Sequence, residues 1–288
     1  MTTISPLLSV IVSISYHLAS NTKGKTAASA MRSPYDVARQ LIDACHRKDP
    51  LYIAKNKDTG ASPFALRPTA ASMPESGAAL DELAYADCVE SWAVRLLPAY
   101  ADSLPEIAKD NEELVRIAAR CQHLARFESP RSSYPEGKAG YLKWRRELYT
   151  LQADRAAEYM KQAGLPDDEI EAAKTWISKT DLKPGKAAGS NQGTQLLEDA
   201  AVLVFLEQEL ALFAQRHSED YTREKFVDIL KKTWRKLSTH AKEAAKKLDF
   251  PEALAPILAD AIAEAEKSAS ASTSETASAP TATSEQPV

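Results

Sequence analysis

The segment Leu196-Leu-Glu-Asp-Ala-Ala-Val-Leu-Val-Phe-Leu206 decides the fold class, because nine of its eleven residues are apolar. It belongs to a predicted helix that runs from Gln195 to about Arg216. A helix that is apolar on every side is buried on every side, so other helices must surround it. The rest of the chain shows no alternating strand pattern. We therefore predict an all-α fold, a helical bundle or array.

Helical patterns, most of them bounded by a capping residue, a proline or a glycine, predict the surrounding helices. They run from Ser33-Pro34 to Cys45, from Leu80 to Leu97 before Pro98, from Asn111 to 127, from 138 to 163 before Gly164, from Asp167 to Lys179, from Thr222 to Leu248 and over 251–265. Residues 49–77 are rich in proline and predict a long loop, and residues 185–193 predict a second loop.

The two ends of the chain differ in composition from its centre. Residues 1–32 contain no acidic residue and are rich in serine and threonine. They are either a mitochondrial transit peptide or a non-structural extension before a protein that begins near Met31. Residues 268–288 have almost no large apolar side chain and predict a disordered tail. We expect a helical domain at 33–248 and a further helix within 249–267.

Charge, apolar runs and cysteine content exclude several classes of protein. The net charge of −4 gives no basic field that calls for a nucleic acid partner. The apolar run Leu7 to Ala19 is too short to span a membrane. Three cysteines without a Cys-x-x-Cys pair indicate reduced thiols. We expect a cytoplasmic protein without a membrane partner, or a mitochondrial one if residues 1–32 are a transit peptide. The sequence leaves the oligomeric state open.

Two acidic residues, Glu198 and Asp199, interrupt the apolar segment. Burying an ionised carboxylate is costly unless it is paired or holds a metal ion. The pair therefore requires a cation, which is a metal ion, an arginine or a lysine. Either the two residues form a structural salt bridge or they belong to a functional site.

Two other predicted helices carry residues that could complete such a site. His123 falls opposite the apolar stripe of the 111–127 helix, on the polar face with Arg116 and Arg120, and Arg126 lies within one turn. On the 138–163 helix, Tyr141, Arg145 and Gln152 share the stripe that should face inward. An inward arginine requires a carboxylate or a phosphate. Arg145 therefore either pairs with the acidic residues or binds an anion.

Seven short motifs follow one another along the chain. They are Arg120-Cys-Gln-His123-Leu-Ala-Arg126, Pro130-Arg131, Tyr134-Pro135, Gly140-Tyr141-Leu-Lys-Trp144-Arg145, Gln195-Leu-Leu-Glu198-Asp199, Leu203-Val-Phe-Leu206 and Lys232-Thr233-Trp234. In this order they resemble the uncharacterised family known as domain of unknown function 4202. The resemblance covers roughly residues 33 to 248. It implies no activity, although many relatives carry a glutamyl-tRNA synthetase label.

A second resemblance is to HD-type metal-dependent phosphohydrolases, which are helical. It implies an HD-like fold in which His123 and Asp199 are the first and last ligands of a divalent metal such as Mn, Fe or Mg. The middle His-Asp pair of that pattern falls at Gln152-Ala153, and this chain departs from the pattern there.

Three functional hypotheses remain open. The first is an HD-like hydrolase of a phosphorylated small molecule, with His123, Glu198 and Asp199 as catalytic residues. The second is a non-catalytic protein that binds an anionic metabolite or nucleotide. The third is an RNA-associated protein with a basic surface that includes Lys231 and Lys232. The predicted substrate-binding residues are Arg120, Gln122, Arg126, Arg131, Tyr134, Tyr141, Arg145, Gln152 and Lys179.

Overall fold

A computed structural model of the chain describes residues 32–57, 79–109 and 111–276. Within these ranges the chain forms twelve α-helices and no strand, which confirms the predicted all-α class. The helices are α1 (Pro34–His46), α2 (Pro50–Lys55), α3 (Glu82–Tyr100), α4 (Glu106–Lys109), α5 (Glu112–Arg120), α6 (Gly137–Ala163), α7 (Asp167–Ile177), α8 (Gln192–Val204), α9 (Leu210–Arg216), α10 (Arg223–Trp234), α11 (Thr239–Ala245) and α12 (Ala255–Thr276). A π-helical segment, Phe205–Glu209, joins α8 to α9.

Helix α8 is the central element of the fold. It packs against α3, α5, α7 and α11, and Leu196, Leu197 and Leu203 are fully buried. Burial of each such side chain contributes about 2 kcal/mol. A Cβ on Gly193 would lie 2.5 Å from the ring of Trp176, so the glycine allows α8 to approach α7 closely. The helix is buried over most of its surface, as predicted, but Ala201 and Phe205, one turn apart, are partly exposed.

Predicted capping residues begin or end several of the surrounding helices. Ser33 and Asp36 form a capping box at the start of α1. The side chain of Asn111 accepts a hydrogen bond from the N–H of Leu114 and caps α5. Gly164 ends α6 with a left-handed φ of 85°.

Two boundaries near prolines differ from the prediction. Pro98 lies inside the last turn of α3, which continues to Tyr100. A proline lacks the backbone N–H donor and crowds the preceding turn of a helix. Because Pro98 lies two residues before the end of α3, few helical residues follow that it could disturb. Pro50 begins α2 within the segment predicted to be a long loop, because proline suits the first turn and Asp49 caps it. Residues 58–78 of that loop lie outside the described residues.

The third predicted helix is shorter than expected. Helix α5 ends at Arg120, and Ala125 adopts a left-handed φ of 57° in the turns that follow. Cys121, Leu124 and Ala125 are fully buried, so these turns fold their apolar side chains into the core without continuing the helix. His123 therefore lies in a turn and not on a helix face, and the prediction that places Arg120 on a polar face is wrong.

The predicted helix from Thr222 to Leu248 is two helices, α10 and α11, separated by residues 235–238. Ser238 caps α11, because its hydroxyl accepts a hydrogen bond from the N–H of Ala241. Its own N–H donates to the carboxylate of Asp199. In a continuous helix that N–H would donate to a backbone carbonyl one turn earlier. Its hydrogen bond to Asp199 therefore goes together with the interruption of the helix.

The C-terminal helix exists as predicted but is longer. Helix α12 packs against α10 and runs to Thr276. The predicted extension at 1–31 and the tail at 277–288 lie outside the described residues. Within the described ranges, every helix is too short or too polar to cross a lipid bilayer.

Candidate functional site

Glu198, in α8, lies between two lysines that come from different segments. Its Oε2 is 3.0 Å from the Nζ of Lys179, which follows α7, and its Oε1 is 3.1 Å from the Nζ of Lys236, which follows α10. The side chain of Lys179 is 9% exposed and that of Lys236 is 32% exposed. Lys179 also donates to Oε1 of Gln122 at 2.5 Å. Two lysines therefore supply the cation that the sequence requires for Glu198.

Arg145, on α6, adds a third cation. Its guanidinium donates hydrogen bonds to the hydroxyls of Tyr141, at 3.3 Å, and Tyr149, and it lies over both rings. It is close enough to Glu198 for an electrostatic interaction, but within the described part of the chain no carboxylate forms a salt bridge with it. We call Arg145, Lys179 and Lys236, with Glu198 between them, the basic cluster.

The cations of this cluster repel one another. Burial lowers the pKa of Lys179, and the charges of Lys236 and Arg145 lower it further against the attraction of Glu198. Burial alone would raise the pKa of Glu198, but Lys179 and Lys236 bring it well below its usual range. Glu198 is therefore ionised, and its single negative charge faces three positive charges.

Lys179 also has a strained backbone. Its φ of 62° lies in the left-handed region, which costs a residue with a Cβ about 1–2 kcal/mol. Such strain persists only where the surrounding structure enforces it, and it is concentrated at functional sites. The turn after α7 thus holds the Lys179 ammonium against Glu198 at a cost in local conformation.

Asp199, in contrast, faces a different set of partners. Its carboxylate accepts hydrogen bonds from the hydroxyl of Tyr100 at 2.5 Å, from the hydroxyl and N–H of Ser238 at 2.5 and 3.0 Å, and from the amide of Gln195 at 2.9 Å. The residue is fully buried. Burial raises its pKa, and the hydrogen bonds oppose that rise. Asp199 therefore anchors the start of α11.

His123 stacks on Tyr85 of α3, with ring centroids 3.6 Å apart and planes at 6°. Both of its ring nitrogens lie near Nη1 of Arg126, Nε2 at 2.8 Å and Nδ1 at 3.3 Å, and Nδ1 is 3.8 Å from Oε2 of Glu82. Because arginine only donates, a ring nitrogen must accept from it, so the ring is neutral. Burial and the charges of Arg126 and Arg145 lower the pKa of His123 well below its usual range.

His123 borders a cleft of about 200 Å³, which we call the acidic cleft. Its lining residues are Leu80, Asp81, Glu82, Tyr85, His123, Arg126 and Glu209. Burial raises the pKa of Glu82 to about 8, although Arg126 opposes the rise. Burial also raises the pKa of Glu209. Both carboxyl groups are thus in surroundings that disfavour their charge.

A second and more open pocket of about 320 Å³ lies where the 185–189 loop meets residues that precede and begin α11. Its charged lining residues are Lys186, Arg235 and Lys242. The N–H of Gly185 donates to the carbonyl of Arg235 at 2.9 Å and joins the two segments. This pocket is a competing site for an anion.

Arg120, predicted to bind substrate, lies in the core. Its fully buried guanidinium pairs with Asp43 at 2.5 Å, Glu90 at 2.6 Å and Asp87 at 2.8 Å. These contacts tie α5 to α1 and α3. Because the side chain has no exposed surface, Arg120 stabilises the helix packing and does not contact a ligand in this conformation.

The other predicted binding residues are dispersed. Gln152 is 2% exposed, and its Nε2 has no hydrogen-bond partner within the described ranges. Arg131 donates to the carbonyl of Tyr134 at 2.9 Å, and the Tyr134 hydroxyl donates to Glu147 at 2.8 Å. These two residues thus shape the turn before α6. Of the predicted set, Lys179 pairs with Glu198 and donates to Gln122. Arg145, which donates to Tyr141, interacts electrostatically with Glu198.

The predicted metal ligands His123 and Asp199 do not fit one shared ion. The Asp199 carboxylate accepts four hydrogen bonds from other groups, and the ring nitrogens of His123 face Arg126 and Glu82. In the part of the chain that the structure describes, no group of three or more histidine, cysteine, aspartate or glutamate side chains is arranged to hold a metal. Metal binding stays a prediction that the geometry does not support.

Several important residues were not selected from the sequence. Lys236 belongs to the charge run 231–236, which reads as a solvated face, yet it lies between the buried Trp234 and Leu237. That position was the available signal. Glu82 and Tyr85, which belong to α3, carry no comparable signal in the sequence. They line the site because the turn after α5 brings His123 beside them.

The fold and the basic cluster define an all-α protein with a polar, positively charged site built around a central buried helix. The chain belongs to the family described as Domain of unknown function (DUF4202), which matches residues 36–258. No curated protein and no solved structure is significantly similar to it.

Proposed function

We propose that this protein binds a small phosphorylated molecule through the basic cluster. The observation that carries the proposal is the imbalance of charge around Glu198, where Arg145, Lys179 and Lys236 together exceed one carboxylate by two positive charges. A phosphomonoester carries a charge of about −1.5 to −2 at pH 7 and would balance that excess.

The chemistry of the three cations suits a phosphate group. Arginine offers a planar set of donors that matches phosphate oxygens, and lysine adds a compact charge. Arg145 and Lys236 are partly exposed, so the ligand can reach them from solvent. The side chain of Lys179 is largely buried and contacts Glu198 and Gln122. An anion would relieve the repulsion among the cations, and each charge-assisted hydrogen bond would contribute about 1.5–3 kcal/mol.

Hydrolysis and RNA binding have less support. Of the three proposed catalytic residues, Asp199 is committed to anchoring Ser238, and Glu198 is ion-paired. For RNA, the expected basic surface is weakened because Lys231 pairs with Glu264 and Lys232 pairs with Asp228.

Isothermal titration calorimetry with inorganic phosphate and with glycerol 3-phosphate tests the proposal. Lys236→Gln and Arg145→Gln should each weaken binding by about tenfold or more, the equivalent of 1.4 kcal/mol. The matched control is Lys232→Gln, which removes the same charge from an exposed lysine on α10. It should leave the affinity unchanged apart from a small, salt-dependent effect.

A second comparison separates the two basic regions. Lys242→Gln removes a cation from the pocket at 185–189 and 235–242. If that variant loses binding while Lys236→Gln keeps it, the anion occupies the other pocket and the proposal is wrong. The same conclusion follows if neither ligand gives a saturable signal with the wild-type protein.

A further inference from the structure

The acidic cleft contains two carboxyl groups, those of Glu82 and Glu209, that have no lysine or arginine within salt-bridge distance among the described residues. Asp81 is accounted for, since it caps α3 through the N–H of Ala84 and lies 3.5 Å from Lys55. Oε2 of Glu82 is buried without a hydrogen-bond partner. Glu209 makes no hydrogen bond or ion pair within the described residues, although Arg126 and Arg216 attract it at longer range.

The lining of the cleft carries more carboxyl groups than cations. Arg126 is the lining residue that attracts both Glu82 and Glu209, and it already donates to His123 and lies over the ring of Trp144. Arg216 attracts Glu209 from outside the lining. A cation bound in the cleft would give the two glutamates a direct ion-pair partner, which neither arginine provides among the described residues.

Tyr85 gives an independent indication that a ligand belongs here. The residue is 5% exposed and lines the cleft, and its hydroxyl has no hydrogen-bond partner in the described part of the chain. The hydroxyl of a largely buried tyrosine usually finds a hydrogen-bond partner. The stacked rings of Tyr85 and His123 also form one wall of the cleft. An aromatic wall beside carboxylates suits an organic cation, which is attracted to both.

We propose that the acidic cleft binds a small organic cation, a primary ammonium or guanidinium group, between Glu82 and Glu209 with Tyr85 as an additional hydrogen-bond acceptor. The volume of about 200 Å³ is below the usual range of about 300–1,000 Å³ for small-molecule sites. The ligand is therefore short, on the scale of a four-carbon amine. The proposal does not rest on anion binding at the basic cluster.

Isothermal titration calorimetry of the full chain with 1,4-diaminobutane at low ionic strength tests this site. Glu82→Gln and Glu209→Gln keep the shape of each side chain and remove its charge. Each should weaken binding by about tenfold or more, since 1.4 kcal/mol is a factor of ten. Tyr85→Phe keeps the stacking with His123 and removes only the hydroxyl, so it should weaken binding by a smaller factor. Because burial disfavours the charged form of Glu82, Glu82→Gln should not prevent folding.

Three controls make the result specific. Glu243→Gln removes a charge from an exposed glutamate on α11 and should leave the affinity unchanged. 1,4-Butanediol has the same length without charge and should not bind. Lys236→Gln should keep diamine affinity, which separates this site from the basic cluster. The proposal is overturned if the diamine gives no saturable signal, if both glutamine variants bind as tightly as wild type, or if the diol binds equally well.

Discussion

Replacing Arg120 with methionine should destabilise the protein severely. Arg120 is fully buried and pairs with Asp43, Asp87 and Glu90. Methionine fills part of its volume but leaves buried carboxylates without their cation. Removing one partner of a buried ion pair costs about 3–5 kcal/mol. That is a large share of the roughly 5–15 kcal/mol that stabilises a typical domain.

The network indicates where most of this loss arises. Glu90 would keep Arg39 at 2.7 Å and Arg116 at 3.1 Å. The carboxylate of Asp43 would lose the guanidinium that satisfies it, and it is 2% exposed. Asp43→Asn, added to Arg120→Met, removes the unpaired charge. The double variant should therefore be more stable than the single variant.

Urea unfolding followed by far-ultraviolet circular dichroism measures these differences. Arg223→Met is the matched control, because its ion pair with Asp260 is half exposed and exposed pairs contribute little to stability. A loss below about 1 kcal/mol for Arg120→Met would contradict a structural role. A double variant less stable than Arg120→Met would show that Asp43 is not the main source of the loss.

Three further predictions concern stability and use the same unfolding assay. Asp199→Asn weakens the anchor of Ser238 and should lower the free energy of unfolding by about 1–3 kcal/mol; an unchanged value would contradict the anchoring role. Gly193→Ala places a Cβ 2.5 Å from the Trp176 ring and should cost about 1–3 kcal/mol through overpacking, whereas a stabilised variant would show that the ring moves freely. Burial lowers the pKa of His46 from 6.5 to about 4, so the folded state resists protonation. Stability should fall by about 3 kcal/mol as the pH drops from 6.5 to 4, and His46→Gln should remove that part of the pH dependence.

The sequence predicts the presence of helices better than their ends. The apolar segment at 196–206 and the capping residues Ser33 and Asn111 act locally, so their effects are visible in the chain itself. The end of α5 at Arg120 depends on ion pairs with α1 and α3, which are distant in sequence. The break at Ser238 depends in the same way on Asp199. Local patterns do not contain these tertiary contacts.

The candidate site likewise contains features that the local sequence predicts and features that depend on tertiary contacts. The need of Glu198 for a cation follows from burial alone, and the structure supplies Lys179 and Lys236. The identity of the cations that pair with Glu198 could not be predicted, because both lysines lie in turns after helices. The pairing of His123 with Glu82 and Tyr85 was likewise hidden, since it requires α5 to end before the histidine.

Glu198 and Asp199 are adjacent in sequence, yet their side chains meet different parts of the fold. Neighbouring residues on a helix point about 100° apart, so one carboxylate reaches the basic cluster while the other reaches Tyr100 and Ser238. The two environments meet again in the segment between α10 and α11, because Lys236 pairs with Glu198 and Ser238 is held by Asp199. Asp199 thus fixes the segment that brings Lys236 to the cluster. The two adjacent acidic residues, which suggest one catalytic unit in the sequence, therefore have separate roles. Glu198 belongs to the candidate site, and Asp199 holds in place the segment that carries Lys236.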